Sequence, residues 1–438
     1  MRIQRLGGLS AKQMDEILRR AAQGTEEIYP TVREIMADVR VHGDEAVLRY
    51  TRRFDRAELT DMAVSDAEFE AAYRMVDDSL IQAIRHATRN LERFHGAQRR
   101  TEAVVSVDEG IRIWRASRPV EVVGIYVPGG KYPYASSVLM NGVPALQAGC
   151  PHRIICTPPG PDGTIAPAIL VAADLVNIRS VFKIGGAQAI AAMSYGTETV
   201  PKVDKIFGAG NPYVTAAKML AFGQVDIDMP AGPTEILIIA DETAAPRFVA
   251  ADMLSQAEHA HTSPCILVTP SASLAEAVVR EIERQLADLP TAATARAALE
   301  QHGAILVADR LAECIDFANR YAPEHLEVMA SDSRSLLDSI RHAGSVFLGP
   351  YAVESAGDYA TGGNHVLPTG GYARMFSALS VDDFTRQMQV QELTKDGLAR
   401  IKDTVALMAD SEGLVAHKRA VEIRFREGDD DAGEATSV

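Results

Sequence analysis

Short apolar segments alternate with helical stretches along most of the chain, and this alternation limits the possible folds more than any other feature. Residues 120–127 read Val-Glu-Val-Val-Gly-Ile-Tyr-Val and end at a Pro-Gly-Gly turn, as a buried strand does. Similar segments begin at Ile154, Ser180 and Lys205, and a second series extends from Thr234 to Ser345-Val-Phe-Leu. Because strands that alternate with helices pair in parallel, the pattern predicts an α/β fold with two Rossmann-like parallel-sheet domains.

The two series of strands define the predicted domains. Residues 25–123 and 236–379 form the first α/β domain, which is discontinuous, and residues 124–235 form the second. Helical periodicity and a serine N-cap predict a helical segment over 1–24. Residues 380–438 are predicted to be a helical segment that ends in a disordered acidic tail.

Composition excludes several classes of partner. The 438 residues carry 44 basic and 59 acidic side chains, a net charge of −15, which argues against nucleic acid or an anionic membrane as a partner. No apolar run reaches the ~18 residues that cross a bilayer, and no signal peptide is evident at the amino terminus. The four cysteines show no CxxC spacing, so we expect a cytoplasmic protein with reduced, buried thiols.

Three glycine-rich turns follow predicted strands of the first series. They contain Gly129, Gly185-Gly186 and Gly208-Ala-Gly210, and each precedes a helical stretch. Such turns let a phosphate or ribose approach the backbone at a helix N-terminus, although tight turns without a ligand look the same. None is a complete GxGxxG. Three turns in one segment, two of them followed by the amides Gln188 and Asn211, favour a nucleotide site of a variant kind.

Two further groups of residues suggest chemistry. Glu324 and His325 are adjacent and would handle protons in different pH ranges, which a reaction with two proton transfers requires. Gln256 and His259 are three apart on a predicted helix and so share a face. Together with carboxylates and imidazoles elsewhere they would suit zinc, but spacing alone does not select the remaining ligands among eleven histidines.

Nine segments of the chain resemble the histidinol dehydrogenase family, in the family's order and between about residues 30 and 425. They are Tyr126-Val-Pro-Gly-Gly, Ser136-Ser-Val-Leu-Met-Asn, Gly185-Gly-Ala-Gln-Ala-Ile-Ala, Phe207-Gly-Ala-Gly-Asn, Ala231-Gly-Pro-Thr-Glu, Ser255-Gln-Ala-Glu-His, Ala322-Pro-Glu-His-Leu, Asn364-His-Val-Leu-Pro-Thr-Gly-Gly-Tyr-Ala-Arg and Glu412-Gly-Leu-Val-Ala-His.

The resemblance implies two cofactors, a small amino-alcohol substrate and a dimer. Zinc would be bound by Gln256, His259, Asp358 and His417. NAD would contact Tyr126, Gln188 and Asn211. The substrate would contact Thr234, His325, Glu412 and the zinc ligands, with His365 as an additional candidate. In this family the C-terminal segment completes the active site of the partner subunit, so Glu412 and His417 would act in trans.

The reaction implied by the resemblance is the oxidation of L-histidinol to L-histidine through L-histidinal, with two hydride transfers to NAD. His325, as a neutral imidazole, would accept the hydroxyl proton, and Glu324 would activate the water that hydrates the aldehyde. No cysteine lies within a matched motif, which argues against a thiohemiacetal intermediate. The metal would mainly position the substrate.

Some positions depart from the family pattern and leave alternatives open. Thr234 stands where a serine is expected, and Ala-His-Thr-Ser-Pro after His259 and Lys131-Tyr-Pro-Tyr are also unusual. These departures resemble relatives that oxidise other small alcohols, such as sulfopropanediol, whereas the segments at Ser136 and Leu367 favour histidinol. A zinc hydrolase with Glu324 as base and a catalytically silent binding protein are the alternatives from other classes.

Overall fold

The computed structural model describes residues 1–20, 27–99, 102–129, 133–230 and 232–426. The predicted acidic tail lies outside these residues. The chain forms two compact units: unit 1 comprises Met1–Arg99 and Pro119–Phe384, and unit 2 comprises Arg100–Arg118 and Thr385–Val438. Within the described residues, no helix is both long enough and apolar enough to span a membrane.

The strands are β1 Ile3–Arg5, β2 Val105–Asp108, β3 Ile111–Pro119, β4 Val122–Tyr126, β5 His152–Thr157, β6 Ser180–Lys183, β7 Lys205–Phe207, β8 Asp226–Ile227, β9 Ile236–Ala240, β10 Cys265–Thr269, β11 Gly303–Val307, β12 His325–Met329, β13 Ser345–Leu348 and β14 Thr385–Leu393. The helices are α1 Ala11–Arg19, α2 Tyr29–Asp55, α3 Asp66–Met75, α4 Asp78–Gly96, α5 Ala135–Ala148, α6 Pro167–Leu175, α7 Gly186–Tyr195, α8 Pro212–Ala221, α9 Pro246–Ala257, α10 Ala272–Leu286, α11 Ala292–His302, α12 Leu311–Tyr321, α13 Glu354–Tyr359, α14 Lys395–Ser411 and α15 Val415–Glu422.

Unit 1 contains two parallel sheets with the same pattern of strand order. The first sheet is ordered β6-β5-β4-β7-β8, and the second is ordered β1-β11-β10-β9-β12-β13. In both, the strand order reverses beside the first strand of the series, between β4 and β7 and between β9 and β12, as in doubly wound folds. The predicted α/β class with two parallel sheets is therefore confirmed.

Burial explains why these segments form strands. Every residue of β9, β10 and β12 is buried, because helices cover both faces of a parallel sheet. Alternate residues of β9 pack into different cores: Ile236 and Ile238 lie in one cluster with α9 and α10, and Leu237 and Ile239 lie in another with α12. The β-branched, apolar composition of these runs fits a surface that is covered on both sides.

The termini contain helices, as predicted, and also strands that the sequence pattern does not indicate. Helix α1 begins with a capping box between Ser10 and Gln13, but Ile3–Arg5 before it pairs in parallel with β11 at the edge of the second sheet. In unit 2, helices α14 and α15 accompany a sheet ordered β14-β3-β2, whose β2 and β3 are antiparallel. All four cysteines are free and buried, as expected.

Candidate active site

The Glu324–His325 pair lies at the amino end of β12, where the second sheet reverses its strand order. His325 is the first residue of β12, and Thr234 and Glu235 directly precede the adjacent strand β9. Ligands of doubly wound sheets usually bind at the carboxyl ends of the strands. In this sheet the candidate site is therefore built at the opposite edge.

His325 is held as a neutral imidazole with one nitrogen free. Its Nδ1 donates to the backbone carbonyl of Glu235 at 3.0 Å, so Nδ1 carries the proton and Nε2 keeps its lone pair. Nε2 is buried and has no hydrogen-bond partner among the described residues. Burial lowers the pKa of His325 to about 4, which keeps the ring uncharged at neutral pH.

Glu324 is a buried carboxyl group beside this imidazole. Its Oε2 accepts the backbone N–H of Glu235 at 2.9 Å and lies 3.7 Å from His325 Nδ1. Burial raises the pKa of Glu324 well above its usual value, and the neighbouring carboxylates of Glu235 and Asp358 also raise it. A carboxylate in this environment is a stronger base than one in water, as proton abstraction from water requires.

A group of three side chains beside the pair could hold a metal ion. One ligand atom from each of His259, Glu354 and Asp358 lies within 4.8 Å of the others, and His325 Nε2 lies 4.0 Å from Asp358 Oδ1. Burial and the nearby carboxylates, Asp358 first among them, raise the pKa of Glu354 well above its usual value. A cation would relieve this concentration of buried negative charge.

Gln256 lies beside this group, and its amide is satisfied by protein partners. The hydrogen bonds are best formed when its nitrogen donates to Glu354 at 2.7 and 3.2 Å and its oxygen accepts from the Thr234 hydroxyl at 3.0 Å. The prediction that His259 shares a helix with Gln256 is wrong, because α9 ends at Ala257. One further turn, with His259 N–H donating to the Gln256 carbonyl at 3.3 Å, still keeps the two residues adjacent.

The sequence Glu354-Ser-Ala-Gly-Asp358 after a strand predicts a loop, and this prediction is also wrong, since the segment is the short helix α13. This helix brings Glu354 and Asp358, four residues apart, to the same side. The carbonyl of Asp358 accepts a hydrogen bond from Nδ1 of His365 at 3.2 Å, and burial lowers the pKa of His365. His365 therefore borders the group from the loop that follows α13.

A cavity of about 530 Å³ opens onto these residues. Its polar end includes His259, Glu354 and Asp358, and its apolar wall is formed by side chains of α4, α5 and α6, among them Ile84 and Leu139. Small-molecule sites typically measure about 300–1,000 Å³ and combine apolar walls with a few polar groups. The cavity is large enough for a small amino alcohol together with part of a second ligand.

Tyr126, Gln188 and the turn at Asn211 lie together at the carboxyl edge of the first sheet. Tyr126 is buried, and its hydroxyl accepts the N–H of Gly186 at 3.1 Å. Gln188 is 1% exposed, and neither atom of its amide has a partner among the described residues. Asn211 caps α8 by accepting the N–H groups of residues 213 and 214, and this leaves its amide nitrogen available.

The glycines of these turns are required by close packing. Gly208 has φ +109°, and a Cβ there would lie 2.0 Å from the carbonyl oxygen of Tyr126. Only glycine lets β4 and the turn after β7 approach this closely.

The two remaining predicted residues, Glu412 and His417, belong to unit 2. Glu412 follows α14, His417 lies on α15 as predicted, and both are exposed.

Sequence reasoning missed two buried acids of the site, Glu235 and Glu354. Glu235 is part of the matched Ala-Gly-Pro-Thr-Glu segment, but the apolar run after it marks it only as a residue at the start of a strand. For Glu354 the sequence offers no signal beyond its position four residues before Asp358. A signal was present at Glu235, because a charged residue directly before a fully apolar strand is buried only when it is paired.

Comparisons with known proteins identify the family of the chain. A family model described as Histidinol dehydrogenase matches residues 18–425. Histidinol dehydrogenase of Escherichia coli (strain K12) is 48% identical over 419 residues, which are 95% of each chain, and that of Methanosarcina barkeri is 45% identical over 426 residues, 97% of this chain and 98% of the relative. The crystal structure of histidinol dehydrogenase from Elizabethkingia anophelis matches with a TM-score of 0.93 at 46% identity, covering 97% of both chains. The predicted resemblance is thereby confirmed, and the chain belongs to the histidinol dehydrogenase family.

Proposed function

We propose that this protein oxidises L-histidinol to L-histidine through L-histidinal, in two successive hydride transfers to NAD. The observation that carries the proposal is the position of the Glu324–His325 pair. Both groups are buried beside the metal-capable cluster, which consists of His259, Glu354 and Asp358. His325 Nε2 lies 4.0 Å from Asp358 Oδ1. A four-electron oxidation of a primary alcohol needs a base for the hydroxyl proton and a base for the water that hydrates the aldehyde.

His325 is assigned the hydroxyl proton. Its Nε2 has a free lone pair and no partner among the described residues, so it can accept a proton from a substrate hydroxyl placed beside Asp358. The bond from Nδ1 to the Glu235 carbonyl stabilises the imidazolium that results, because that carbonyl remains a good acceptor when the ring is charged. Nε2 can later return the accepted proton to solvent.

We assign to Glu324 the activation of the water molecule that hydrates the aldehyde. Its raised pKa makes it basic enough to take a proton from water as the aldehyde is hydrated, and the proton then remains on a carboxyl group that burial stabilises in the neutral form. The alternative route through a cysteine thiohemiacetal has no support, because burial raises the pKa of all four thiols and holds them protonated.

The residues present fit a zinc ion. An imidazole and two carboxylates whose ligand atoms lie within 4.8 Å are the donors that zinc prefers. We assign the ion to His259 and Asp358 of unit 1, with Gln256 and His417 as the further ligands that the family implies. When bound, zinc would act as a Lewis acid that binds the substrate's polar groups and so places its hydroxyl group next to His325.

The turns of the first sheet fit NAD. The buried amide of Gln188 has no partner within the described part of the chain, although a buried amide normally makes several hydrogen bonds. Gly208 and Gly186 keep the adjacent backbone free of side chains, and Tyr126 fixes the second turn through its hydroxyl. NAD supplies the hydride acceptor for both oxidation steps. Gln188, Tyr126 and Asn211 bind it and orient it.

We further propose a homodimer in which Glu412 and His417 complete the site of the partner subunit. Unit 2 exposes several large apolar side chains, which a partner subunit could cover. They are Val105, Val107, Met388, Leu407, Met408, Leu414, Val415 and Ile423. A second copy of the chain would bury this surface and bring the exposed His417 to the metal-capable cluster of His259, Glu354 and Asp358.

NADH formation from L-histidinol, sulfopropanediol and other small alcohols tests the substrate. We expect histidinol to have the highest kcat/KM, with two NADH formed for each histidinol consumed. A higher kcat/KM for sulfopropanediol would establish the alternative substrate, and no NADH from any alcohol would refute the dehydrogenase assignment.

The division of labour between the two bases is tested by Glu324→Gln. This variant should lose about 100-fold or more of its rate with L-histidinal, because a general base typically contributes that much, and far less of its rate in the first oxidation measured in a single turnover with L-histidinol. Glu300→Gln, on the exposed surface of α11, is the matched control and should leave both rates unchanged. Equal losses in both steps would contradict the assignment of the water to Glu324.

Action in trans is tested by mixing two inactive variants, His417→Asn and His325→Asn. If each subunit supplies His417 to its partner, one site of a mixed dimer carries both substitutions and the other carries neither, so activity returns in the second site. Absence of recovery, when labelled subunits have been shown to exchange, would refute the arrangement in trans.

A further inference from the structure

Two residues with strained backbone lie against each other behind the Glu324–His325 pair. Ala322 has φ +52° and ψ +66°, and Arg20 has φ +53° and ψ +178°. Residues other than glycine rarely adopt positive φ, and when they do the surrounding contacts hold them there, often at functional sites. Ala322 is two residues before Glu324, so its conformation sets the direction in which the pair leaves α12.

Arg20 contacts this strained segment through Nη2 and through the plane of its guanidinium group. Its Nη2 donates to the carbonyl oxygens of Tyr321 at 2.6 Å and Ala322 at 3.3 Å. The guanidinium carbon lies 3.6 Å from the centre of the Tyr321 ring, a cation–π contact. The Arg20 side chain is only 8% exposed although it comes from the N-terminal segment, 301 positions before Tyr321 in sequence.

Glu235 connects Arg20 to both members of the pair. Its fully buried carboxylate forms an ion pair with Arg20 Nε at 2.6 Å and accepts the Tyr321 hydroxyl at 3.1 Å and the Glu324 N–H at 3.3 Å. Its backbone N–H donates to the Glu324 carboxylate, and its backbone carbonyl accepts from His325 Nδ1. One residue therefore orients both proton-transfer groups, and its side chain is anchored by Arg20.

We propose that Arg20 and Glu235 are positioning residues for the proposed oxidation: the Arg20 guanidinium fixes the Glu235 carboxylate and the Ala322 carbonyl, and so holds Glu324 and His325 in productive orientation beside the cluster of His259, Glu354 and Asp358. Neither residue lines the 530 Å³ cavity. Their effect on the reaction is exerted through the backbone of the pair.

The geometry separates this role from simple charge balance. A buried carboxylate needs a compensating charge, which a lysine could also provide. Only a guanidinium can bond two carbonyls and a carboxylate while stacking on an aromatic ring, because its five donors are fixed in one plane. The role therefore predicts that Arg20→Lys is impaired in turnover, whereas charge balance alone predicts that it is not.

The test uses the full-length protein with zinc and NAD, and the parent chain is assayed first. If the parent chain is inactive on L-histidinol, the proposed function is refuted. The proposal for Arg20 is then judged by hydrogen exchange alone. In an active parent, Arg20→Gln should lower kcat about 10- to 100-fold with KM values changed by less than about threefold, since a misplacement near 1 Å costs about that much rate. Arg20→Lys should fall between the two. Arg19→Gln, an exposed neighbour paired with Asp15, should match the parent.

A double variant, Arg20→Leu with Glu235→Gln, removes the uncompensated buried charge and keeps an acceptor at position 235. Its thermal midpoint should recover relative to Arg20→Gln while kcat stays at least about tenfold below the parent. Hydrogen exchange provides a readout independent of activity: the amides of residues 324 and 325 should exchange at least about tenfold faster in the Arg20 variants. Full kcat in Arg20→Lys, recovery of kcat together with the midpoint in the double variant, or unchanged exchange at these amides would each overturn the proposal.

Discussion

Replacing Asp252 by asparagine should stabilise the protein, and the stabilisation should increase with pH. Asp252 lies on α9 and is buried, and its carboxyl group is in hydrogen-bonding contact with that of Glu327, which is also buried. Burial raises the pKa of Asp252 to about 6 from an ordinary 3.8. The folded state therefore binds a proton more tightly than the unfolded state does.

The sign and size follow from this difference. Between pH 3.8 and 6 the folded state binds more protons than the unfolded state, so the free energy of unfolding falls as pH rises, and above pH 6 the loss is constant. At about 1.36 kcal/mol for each pKa unit, the loss reaches about 3 kcal/mol at pH 8 and is about half of that at pH 5. The asparagine side chain of the variant does not titrate, yet its amide can still donate to Glu327.

Urea unfolding of both proteins at pH 5 and pH 8 measures this effect. The difference in unfolding free energy between Asp252→Asn and the parent should grow by about 1–2 kcal/mol from pH 5 to pH 8. Asp316→Asn, which replaces an exposed carboxylate on α12, should show no such growth. If the variant and the parent differ by the same unfolding free energy at both pH values, or if the variant is the less stable protein at pH 8, a raised pKa of Asp252 is refuted.

Three further predictions concern packing, NAD and zinc. The fully buried Phe384 ring stacks on another phenylalanine at 3.9 Å, so Phe384→Ala should lower the free energy of unfolding by about 3–5 kcal/mol in urea titrations, and a loss below about 1 kcal/mol would contradict this. Gly208→Ala forces a Cβ against the Tyr126 carbonyl and should weaken NAD binding at least about tenfold by calorimetry, whereas Gly223→Ala, with open space around it, should not. His417→Asn should reduce zinc content without changing the circular dichroism; full occupancy by elemental analysis would remove His417 from the ligand set.

The strands could be predicted because burial on both faces leaves a clear mark in the sequence. The runs at Val122–Tyr126 and Ile236–Ala240 are apolar throughout, and the structure places both in the centre of parallel sheets. The strands Ile3–Arg5 and Thr385–Leu393 were missed for the opposite reason. Both are mostly exposed and polar, so no hydrophobic period distinguishes them from loops.

Local geometry at the site could not be predicted in the same way. The helix that contains Gln256 ends two residues before His259, and Asp358 lies on a short helix that includes a glycine. Such boundaries depend on tertiary contacts, here the contact of Gln256 and Glu354 across the site. The identity of the residues came from the resemblance to a family, and their mutual distances came only from the fold.

Glu235 shows most clearly what sequence alone leaves out. The sequence Thr-Glu-Ile-Leu-Ile-Ile shows a charged residue directly before an apolar strand, but it does not reveal the partner of this fully buried glutamate, because Arg20 is 215 positions away in the chain. A pairing over such a separation leaves no periodic signal. The effect of this pairing on the site therefore depends on the fold, which brings the N-terminal segment next to β9.

The location of the site at the amino edge of the second sheet leaves the opposite edge free for labelling. Glu242, exposed in the loop after β9, is on that opposite edge and can be replaced by cysteine without touching the residues assigned to chemistry. All four native thiols are buried, and burial raises their pKa values, so a maleimide should react first with the introduced one. One fluorophore on each subunit of the proposed dimer would then report subunit exchange by energy transfer, with the chemistry of the site undisturbed.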